Sequence, residues 1–268
     1  VDGANGSASY LGPKLFQSLG AEVTSIHCSP DGRNINLNCG SQHLASLREK
    51  VLASQADLGV AFDGDADRAM FVSRTGKVID GDHVLLLTGL PLFRAGRLKE
   101  VIATVMSNLG LELALRKHGI GMVRTAVGDK YVLEEMVRRD APLGGEQSGH
   151  VIYRDFATTG DGMLTALRVL DAMQASGQGL DELTVDLVSC PQKLINVRVR
   201  EKRPLEDLEG VQRLSAECSA EFGERGRILL RYSGTEKLAR VMIEGPTQDR
   251  VDHWTQAIAD AIRTELGE

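Results

Sequence analysis

The stretch of sequence that decides the fold reads Leu58-Gly59-Val60-Ala61-Phe62-Asp63-Gly64-Asp65-Ala66-Asp67-Arg68. Its first five residues are small or apolar, which predicts a buried β-strand. Its next five alternate three aspartates with small residues, and an arginine closes the stretch. An apolar strand that runs directly into acidic residues predicts an α/β domain with a chemically active loop at the strand's end.

The residues before this stretch predict the other elements of the same domain. Apolar residues at helical spacing predict helices over residues 8–19 and about 43–55, and residues 21–28 read as a strand. Strand, helix and strand at this spacing predict parallel pairing. The strand expected before the first helix is reduced to Val1-Asp2, and no initiator Met is present. We therefore expect the numbering to begin inside a longer protein.

The residues after this stretch repeat the pattern and then change character. Strands are predicted at 101–106 and 122–127, and helices follow each of them and Thr159-Gly160-Asp161. Past a boundary near Ser189, the predicted order is strand, helix, two strands and a final helix over 248–266. The predicted fold class is therefore α/β: two α/β domains over 1–80 and 81–188, then a smaller α+β domain over 189–268.

Composition excludes several classes of protein. The 268 residues are 42% hydrophobic and 25% charged, with a net charge of −6, which favours a soluble globular protein and argues against a nucleic-acid surface. No apolar run is long enough to span a membrane. Because the four cysteines form no C-x-x-C pair, we expect reduced thiols in a cytoplasmic protein rather than a zinc site.

The acidic loop is the strongest local signal for chemistry. On an extended chain, Asp63, Asp65 and Asp67 share one face, so their carboxylates can converge on a cation. Ligands that are all oxygen favour Mg²⁺. An EF-hand is excluded because Arg68 and Arg74 occupy the positions of its glycine and its last glutamate. The alternative is a solvated acidic turn, although Arg68 adds an anion-binding group.

A second loop reads Gly144-Gly145-Glu146-Gln147-Ser148-Gly149-His150. Glu146, Ser148 and His150 alternate and are expected to face one cleft, where a carboxylate, a hydroxyl and an imidazole suit the hydroxyls of a sugar. A glycine-rich structural turn with a surface histidine is the alternative.

A third loop reads Arg231-Tyr232-Ser233-Gly234-Thr235-Glu236-Lys237 and joins two predicted strands. Its hydroxyls and the backbone N–H groups around its glycine can hold a phosphate, together with Arg231 and with Arg240 just beyond the loop. The alternative is a polar hairpin tip. The candidate phosphate ligands are Arg231, Ser233, Gly234, Thr235 and Arg240.

Lys130 lies where a strand is predicted to pass into a helix. Its amine suits proton transfer or a phosphate contact. The alternative is an exposed ion pair with Glu134, one helical turn later.

These three loops, in this order and spacing, resemble the metal, sugar and phosphate loops of the α-D-phosphohexomutases. The similarity covers essentially the whole chain. Two further segments are similar to the phosphoglucosamine branch of that family: Pro30-Asp31-Gly32-Arg33-Asn34-Ile35-Asn36 with Asn38-Cys39-Gly40-Ser41, and the segment from Thr104 to Glu112. The family has four domains, and the resemblance assigns this chain to the second, third and fourth.

The resemblance implies an enzyme that interconverts glucosamine 6-phosphate and glucosamine 1-phosphate. A phosphoserine of the first domain donates its phosphoryl group, and a bisphosphate forms as intermediate. The resemblance assigns Mg²⁺ to Asp63, Asp65 and Asp67, sugar hydroxyls to Glu146 and Ser148, and catalytic help to Arg68, Lys130 and His150. Besides the phosphosugar, the implied partner is the N-terminal domain of the same protein, and the resemblance leaves room for a homodimer.

The sequence departs from the family in two places. The Ser-His-Asn-Pro type of loop is not found, so we expect the chain alone to lack mutase activity. Lys237 stands where the phosphate loop usually has proline. Two alternatives stay open: a sister enzyme for mannose or glucose phosphates, and a non-catalytic protein that only binds sugar phosphates.

Overall fold

The computed structural model describes residues 1–267, which form two compact units. The first unit comprises Val1–Ser107 and Leu111–Val188, and the second comprises Asn108–Gly110 and the chain from Ser189 onward.

The strands are β1 Leu58–Phe62, β2 Ala69–Ser73, β3 Val78–Ile79, β4 Glu100–Thr104, β5 Gly121–Thr125, β6 Leu143–Gly145, β7 Val151–Tyr153, β8 Gln192–Arg198, β9 Arg227–Tyr232 and β10 Leu238–Glu244. The helices are α1 Ala8–Ser18, α2 Ala45–Ser54, α3 Gly81–Arg94, α4 Leu109–Lys117, α5 Asp129–Arg139, α6 Gly162–Ser176, α7 Leu180–Leu183, α8 Glu209–Phe222 and α9 Gln248–Leu266. Among these described helices, none has the length and apolar character that a membrane crossing requires.

The first unit contains two sheets. Strands β1, β2 and β3 form an antiparallel sheet in that order. The second sheet has the order β5-β4-β6-β7, in which β4 runs parallel to β5 and β6 while β7 is antiparallel to β6. The α/β class predicted for this part of the chain is confirmed.

Helix α3 lies at the centre of the first unit. Its residues from Gly81 to Gly89 are all buried. One apolar cluster packs Leu86 of this helix with Phe62 of β1, Phe71 of β2 and Val101 of β4, and all four are fully buried. A helix that is buried all round carries no polar stripe. The spacing of apolar residues therefore did not predict α3.

The second unit is a three-stranded antiparallel sheet, in the order β8-β10-β9, packed with α8 and α9. Helix α9 buries Val251, Trp254, Ile258 and Ile262 in the core of this unit. The predicted α+β character and the predicted bounds of the last helix are confirmed.

The strand predicted over residues 21–28 is wrong. Only Ile26 forms a bridge, parallel to Asp2, and Asp2 in turn bridges Ala61 of β1 in parallel. The regular ladder of β1 is instead antiparallel, to β2. A strand needs a continuous ladder of backbone hydrogen bonds. The bonds of this segment join Thr24, Ile26 and His27 to Val1, Gly3 and Asn5 without forming such a ladder.

Candidate functional site

The acidic loop after β1 brings the three predicted metal ligands together. One carboxylate oxygen each of Asp63, Asp65 and Asp67 lies within 4.8 Å of the others. The loop is a turn rather than an extended chain, because the N–H of Ala66 donates to the carbonyl of Asp63 at 3.1 Å and Ala66 has a φ of 61°. The carboxylates therefore converge because the left-handed backbone of Ala66 curves the loop, and not because they share one face of an extended strand.

The donor set of this loop fits Mg²⁺. All three residues offer carboxylate oxygens, which hard divalent cations prefer. Asp63 is only 2% exposed, and its Oδ2 is buried with no hydrogen-bond partner among the described residues. A buried carboxylate oxygen in that state is costly unless a positive charge lies beside it.

Arg68 provides one such charge. Its Nε lies 2.6 Å from Oδ2 of Asp63 and 3.4 Å from Oδ1 of Asp67, and the first contact is an ion pair without hydrogen-bond geometry. Its backbone N–H donates to Oδ1 of Asp63 at 3.1 Å. Burial lowers the pKa of Arg68, but the charges of Asp63 and Asp67 outweigh burial and raise it. The guanidinium thus lies against the acids, and its predicted part in anion binding stays a prediction.

His150 is buried beside the acidic loop. Its Nδ1 lies 3.1 Å from Oδ2 of Asp67, and its Nε2 accepts the N–H of Gly160 at 3.0 Å. Because Nε2 is the acceptor, we assign the proton to Nδ1, which donates to the carboxylate. Both ring nitrogens are engaged. The structure therefore places His150 with the acidic loop rather than in a cleft with Glu146 and Ser148.

Glu146 and Ser148 do lie together. The carboxylate of Glu146 accepts the N–H of Gly128 at 3.0 Å and the hydroxyl of Ser148 at 3.3 Å. Gly128 precedes α5, so the carboxylate lies at the positive end of that helix. Both residues line a surface cleft, whose other walls are Met70, Val78, Asp80, Thr104, Met106, Val127 and Gln147.

The backbone joins the second loop to the acidic loop. The N–H of Ala69 donates to the carbonyl of Gly149 at 3.1 Å, and Arg68 and His150 form an antiparallel bridge. Gly149 has a φ of 93°, and a Cβ there would lie 2.5 Å from the carbonyl oxygen of Ala69. Glycine is therefore required at a contact that the sequence did not reveal.

The start of α6 supports the acidic loop from another side. The N–H of Gly162 donates to the carbonyl of Ala66 at 2.9 Å. Asp161 caps the helix by accepting the N–H of Leu164. The Thr159-Gly160-Asp161 signal thus marks a segment of the site, although it predicted only a helix start.

The second unit contains the predicted phosphate ligands. Arg231 and Arg240 lie directly opposite each other on β9 and β10. Burial and the neighbouring Arg240 both lower the pKa of Arg231. Nε of Arg240 is buried without a hydrogen-bond partner in the described chain. Like charges placed opposite each other in a sheet are destabilising, and an anion between them would relieve that repulsion.

Hydrogen bonds to the buried residue Ser233 hold the loop between these two strands in place. Ser233 is 3% exposed, its Oγ accepts the N–H of Glu236 at 3.3 Å, and its carbonyl accepts from Lys202 at 2.7 Å. Gly234 and Thr235 form an exposed tip. Within residues 233–237 no described φ is positive, so the loop lacks the alternating handedness typical of an anion nest. Lys202 is a support that sequence reasoning missed, because it lies 31 residues away.

Lys130 occupies the exposed surface of α5. Its Nζ lies 3.8 Å from Oε1 of Glu134, and its side chain is 74% exposed. This is the helical ion pair considered as the alternative to a catalytic role.

Three successive domain models of one family match the chain. The phosphoglucomutase/phosphomannomutase alpha/beta/alpha domain II matches residues 1–76, domain III matches residues 80–190 and the C-terminal domain matches residues 194–261. The three-domain boundaries predicted from the sequence stay a prediction, since the structure forms two compact units.

Curated relatives share the whole length of the chain. Phosphoglucosamine mutase of Solibacter usitatus is 58% identical, and the match covers 100% of this chain and 60% of that protein. Phosphoglucosamine mutase of Exiguobacterium sibiricum is 46% identical, with 98% and 59% covered. The chain therefore spans about 60% of the length of these relatives.

Solved structures share the fold. A phosphoglucomutase/phosphomannomutase family protein of Burkholderia thailandensis has a TM-score of 0.79 at 23% identity, covering 100% of this chain and 61% of that chain. Aspergillus fumigatus N-acetylphosphoglucosamine mutase, in complex with GlcNAc-6P and magnesium, has a TM-score of 0.75 at 21% identity, covering 97% and 64%.

Proposed function

The chain belongs to the phosphoglucomutase/phosphomannomutase family, and we propose that it supplies the metal-, sugar- and phosphate-binding parts of a phosphoglucosamine mutase. The observation that carries this proposal is the convergence of Asp63, Asp65 and Asp67 within 4.8 Å, in a loop joined by backbone bonds to the loop of Glu146 and Ser148. Relatives at 58% and 46% identity bear that name. The proposed reaction interconverts glucosamine 6-phosphate and glucosamine 1-phosphate.

The proposed partner is the first domain of the family, whose phosphoserine would donate the phosphoryl group. In that scheme a bisphosphate forms and then returns a phosphoryl group to the serine. The present chain would bind and orient the sugar phosphate, and without that domain it would not turn over substrate.

In this proposal the three aspartates of the acidic loop hold Mg²⁺. When bound, the ion neutralises charge that develops on the transferring phosphoryl group. His150 orients the carboxylate of Asp67, because its Nδ1 donates to Oδ2 while Gly160 fixes the opposite side of the ring. The guanidinium of Arg68 contacts the carboxylates of both Asp63 and Asp67 and keeps them close together.

The remaining predicted residues act on the substrate itself. The carboxylate of Glu146 accepts hydrogen bonds from sugar hydroxyls, and the hydroxyl of Ser148 donates to them. The N-terminal end of α5 beside Glu146 keeps this carboxylate in place. Arg231 and Arg240 bind the phosphate that does not react, with Ser233, Gly234 and Thr235 as further donors. Proton transfer by Lys130 would require its amine to leave Glu134.

Location and assembly belong to the same proposal. All four cysteines are unpaired, which favours a reducing compartment and hence the cytoplasm. A homodimer stays a prediction, which sedimentation velocity on the purified protein would test.

The test is a mutase assay on a polypeptide in which the family's serine-bearing domain precedes Val1. With Mg²⁺ and a trace of glucosamine bisphosphate, we expect glucosamine 1-phosphate to form from glucosamine 6-phosphate. Asp65→Ala should lower kcat by about a hundredfold or more, since it removes one ligand of an ion that stabilises several kcal/mol of developing charge. Asp57→Ala, which removes an acid just before β1, is the matched control and should keep activity.

Competing substrates decide the specificity. If mannose 6-phosphate or glucose 6-phosphate is converted with a higher kcat/KM than glucosamine 6-phosphate, the sister activity replaces this proposal. If sugar phosphates bind but none is converted, the chain belongs to a binding protein.

A further inference from the structure

A second group of metal-ligating side chains lies outside the acidic loop. Asp2, His27 and Cys39 each offer one ligand atom, and these atoms lie within 4.8 Å of one another. Asp2 and Cys39 are 0% and 1% exposed, while His27 is partly exposed. Within the described residues, only this group and the acidic loop gather three such ligands.

The chemistry of the group differs from that of the acidic loop. A thiolate, an imidazole and a carboxylate are together the ligands of Zn²⁺ and similar transition metals, whereas Mg²⁺ takes oxygen only. We propose that Asp2, His27 and Cys39 form a binding site for a Zn²⁺-type cation. Three protein ligands leave a fourth position for water.

Backbone contacts already hold Asp2 in place for this role. Its Oδ1 accepts the N–H of Ala4 at 2.9 Å, and its Oδ2 accepts the N–H of Gly40 at 3.1 Å. Gly40 follows Cys39 directly, so the carboxylate is tied to the thiol's own segment. Such bonds to a ligating carboxylate are the outer support that metal sites require.

The imidazole is also held at the carboxylate. Nδ1 of His27 lies 3.0 Å from Oδ2 of Asp2. His27 has a φ of 47°, an uncommon conformation for a residue other than glycine, and such residues concentrate at functional sites. Binding a cation would replace the proton between these two groups with the metal.

The thiol would release its proton to solvent when the metal binds. Burial raises the pKa of Cys39, and the charge of Asp2 raises it further, so the free thiol is neutral. Thiolate formation on metal binding is the usual course at Cys sites.

A cation bound here would stabilise the conformation of the loop over residues 28–38, which contacts the acidic loop. His27 and Cys39 stand at the two ends of residues 28–38, and within that loop Ile35 and Asn36 pack closely against Gly64. Because a ligand that binds only the folded state raises stability, Zn²⁺ should stabilise the first unit through this loop.

Cobalt titration tests the proposal, because a thiolate ligand gives Co²⁺ a near-ultraviolet charge-transfer band that an oxygen-only site cannot give. The chain is titrated with Co²⁺ while excess Mg²⁺ fills the acidic loop. We expect the band to saturate at one Co²⁺ per chain and to disappear when Zn²⁺ is added. Cys39→Ser should abolish it, and Cys28→Ser, which changes the neighbouring thiol outside the group, should keep it.

Circular dichroism on each variant shows whether it is folded. If Cys39→Ser does not fold, His27→Asn at the partly exposed ligand serves instead and should weaken Co²⁺ binding at least tenfold. No band with the unsubstituted chain, or a band that survives Cys39→Ser in folded protein, overturns the proposal. None of these outcomes depends on the mutase assay, so the two proposals fail separately.

Discussion

His150 illustrates how much a single buried side chain depends on its surroundings. The ring contacts a carboxylate of the acidic loop on one side and a backbone N–H of the segment before α6 on the other. A histidine with both nitrogens engaged and 5% exposure is better suited to orient Asp67 than to exchange protons with a substrate.

His150→Ala should weaken Mg²⁺ binding by about 10- to 100-fold, because Asp67 would lose the bond that orients it. Calorimetry on the folded chain would measure this affinity. His150→Asn, whose amide can take the place of Nδ1, should recover part of the loss. His118→Gln is the matched control, since His118 pairs with Asp186 away from the loop. Unchanged Mg²⁺ affinity in His150→Ala would assign the residue a purely packing role.

At the scale of elements, the site depends on turns that meet backbone to backbone. Gly149 lies in the turn between β6 and β7 and contacts the backbone of Ala69 at the start of β2. Gly177, which ends α6, also has a positive φ, of 68°, but a Cβ there would meet nothing within 4 Å. The two glycines therefore separate the cost of backbone conformation from the cost of a steric clash.

Gly177→Ala should lower the free energy of unfolding by about 1 kcal/mol, which is the cost of left-handed backbone for alanine. Gly149→Ala should lower it by roughly 2–4 kcal/mol, because overpacking against Ala69 adds to that cost. Urea unfolding followed by circular dichroism would measure both. Equal losses of unfolding free energy in the two variants would mean that the loop of Gly149 moves away from Ala69 without an energetic cost.

At the scale of the whole molecule, groups buried in their neutral form limit stability in alkali. Burial raises the pKa of Tyr153 in the first unit. In the second unit, burial and then Glu221 raise the pKa of Cys218 from 9.0 to about 11, against a smaller opposite effect of Arg250. The folded state binds these protons more tightly than the unfolded state. Stability is therefore full below about pH 9 and falls as pH rises toward 11.

Cys218→Ala should flatten this fall in the second unit. Each pH unit between about 9 and 11 costs the unsubstituted chain up to about 1.4 kcal/mol through this thiol, and the alanine variant should not lose that part. The single tryptophan, Trp254, lies in the core of the second unit and reports its unfolding by fluorescence. Cys28→Ala in the first unit should leave the Trp254 transition unchanged. Parallel pH curves for Cys218→Ala and the unsubstituted chain would contradict the prediction.

The sequence by itself determined the elements and the side-chain clusters whose signal is local. Apolar spacing predicted α9 to the residue, the run from Leu58 to Phe62 predicted β1, and the alternation of Asp63, Asp65 and Asp67 predicted an oxygen-ligand cluster. Each of these depends on neighbours along the chain, which a linear pattern records.

Only the tertiary structure decided which distant segments meet. It showed that residues 21–28 form no regular strand ladder, and it revealed α3, whose all-round burial hides its period. It moved His150 from the expected sugar cleft to Asp67, 83 residues away, and brought Asp2, His27 and Cys39 into one cluster. Such contacts come from packing and loop closure between residues far apart in sequence, and no local periodicity encodes them.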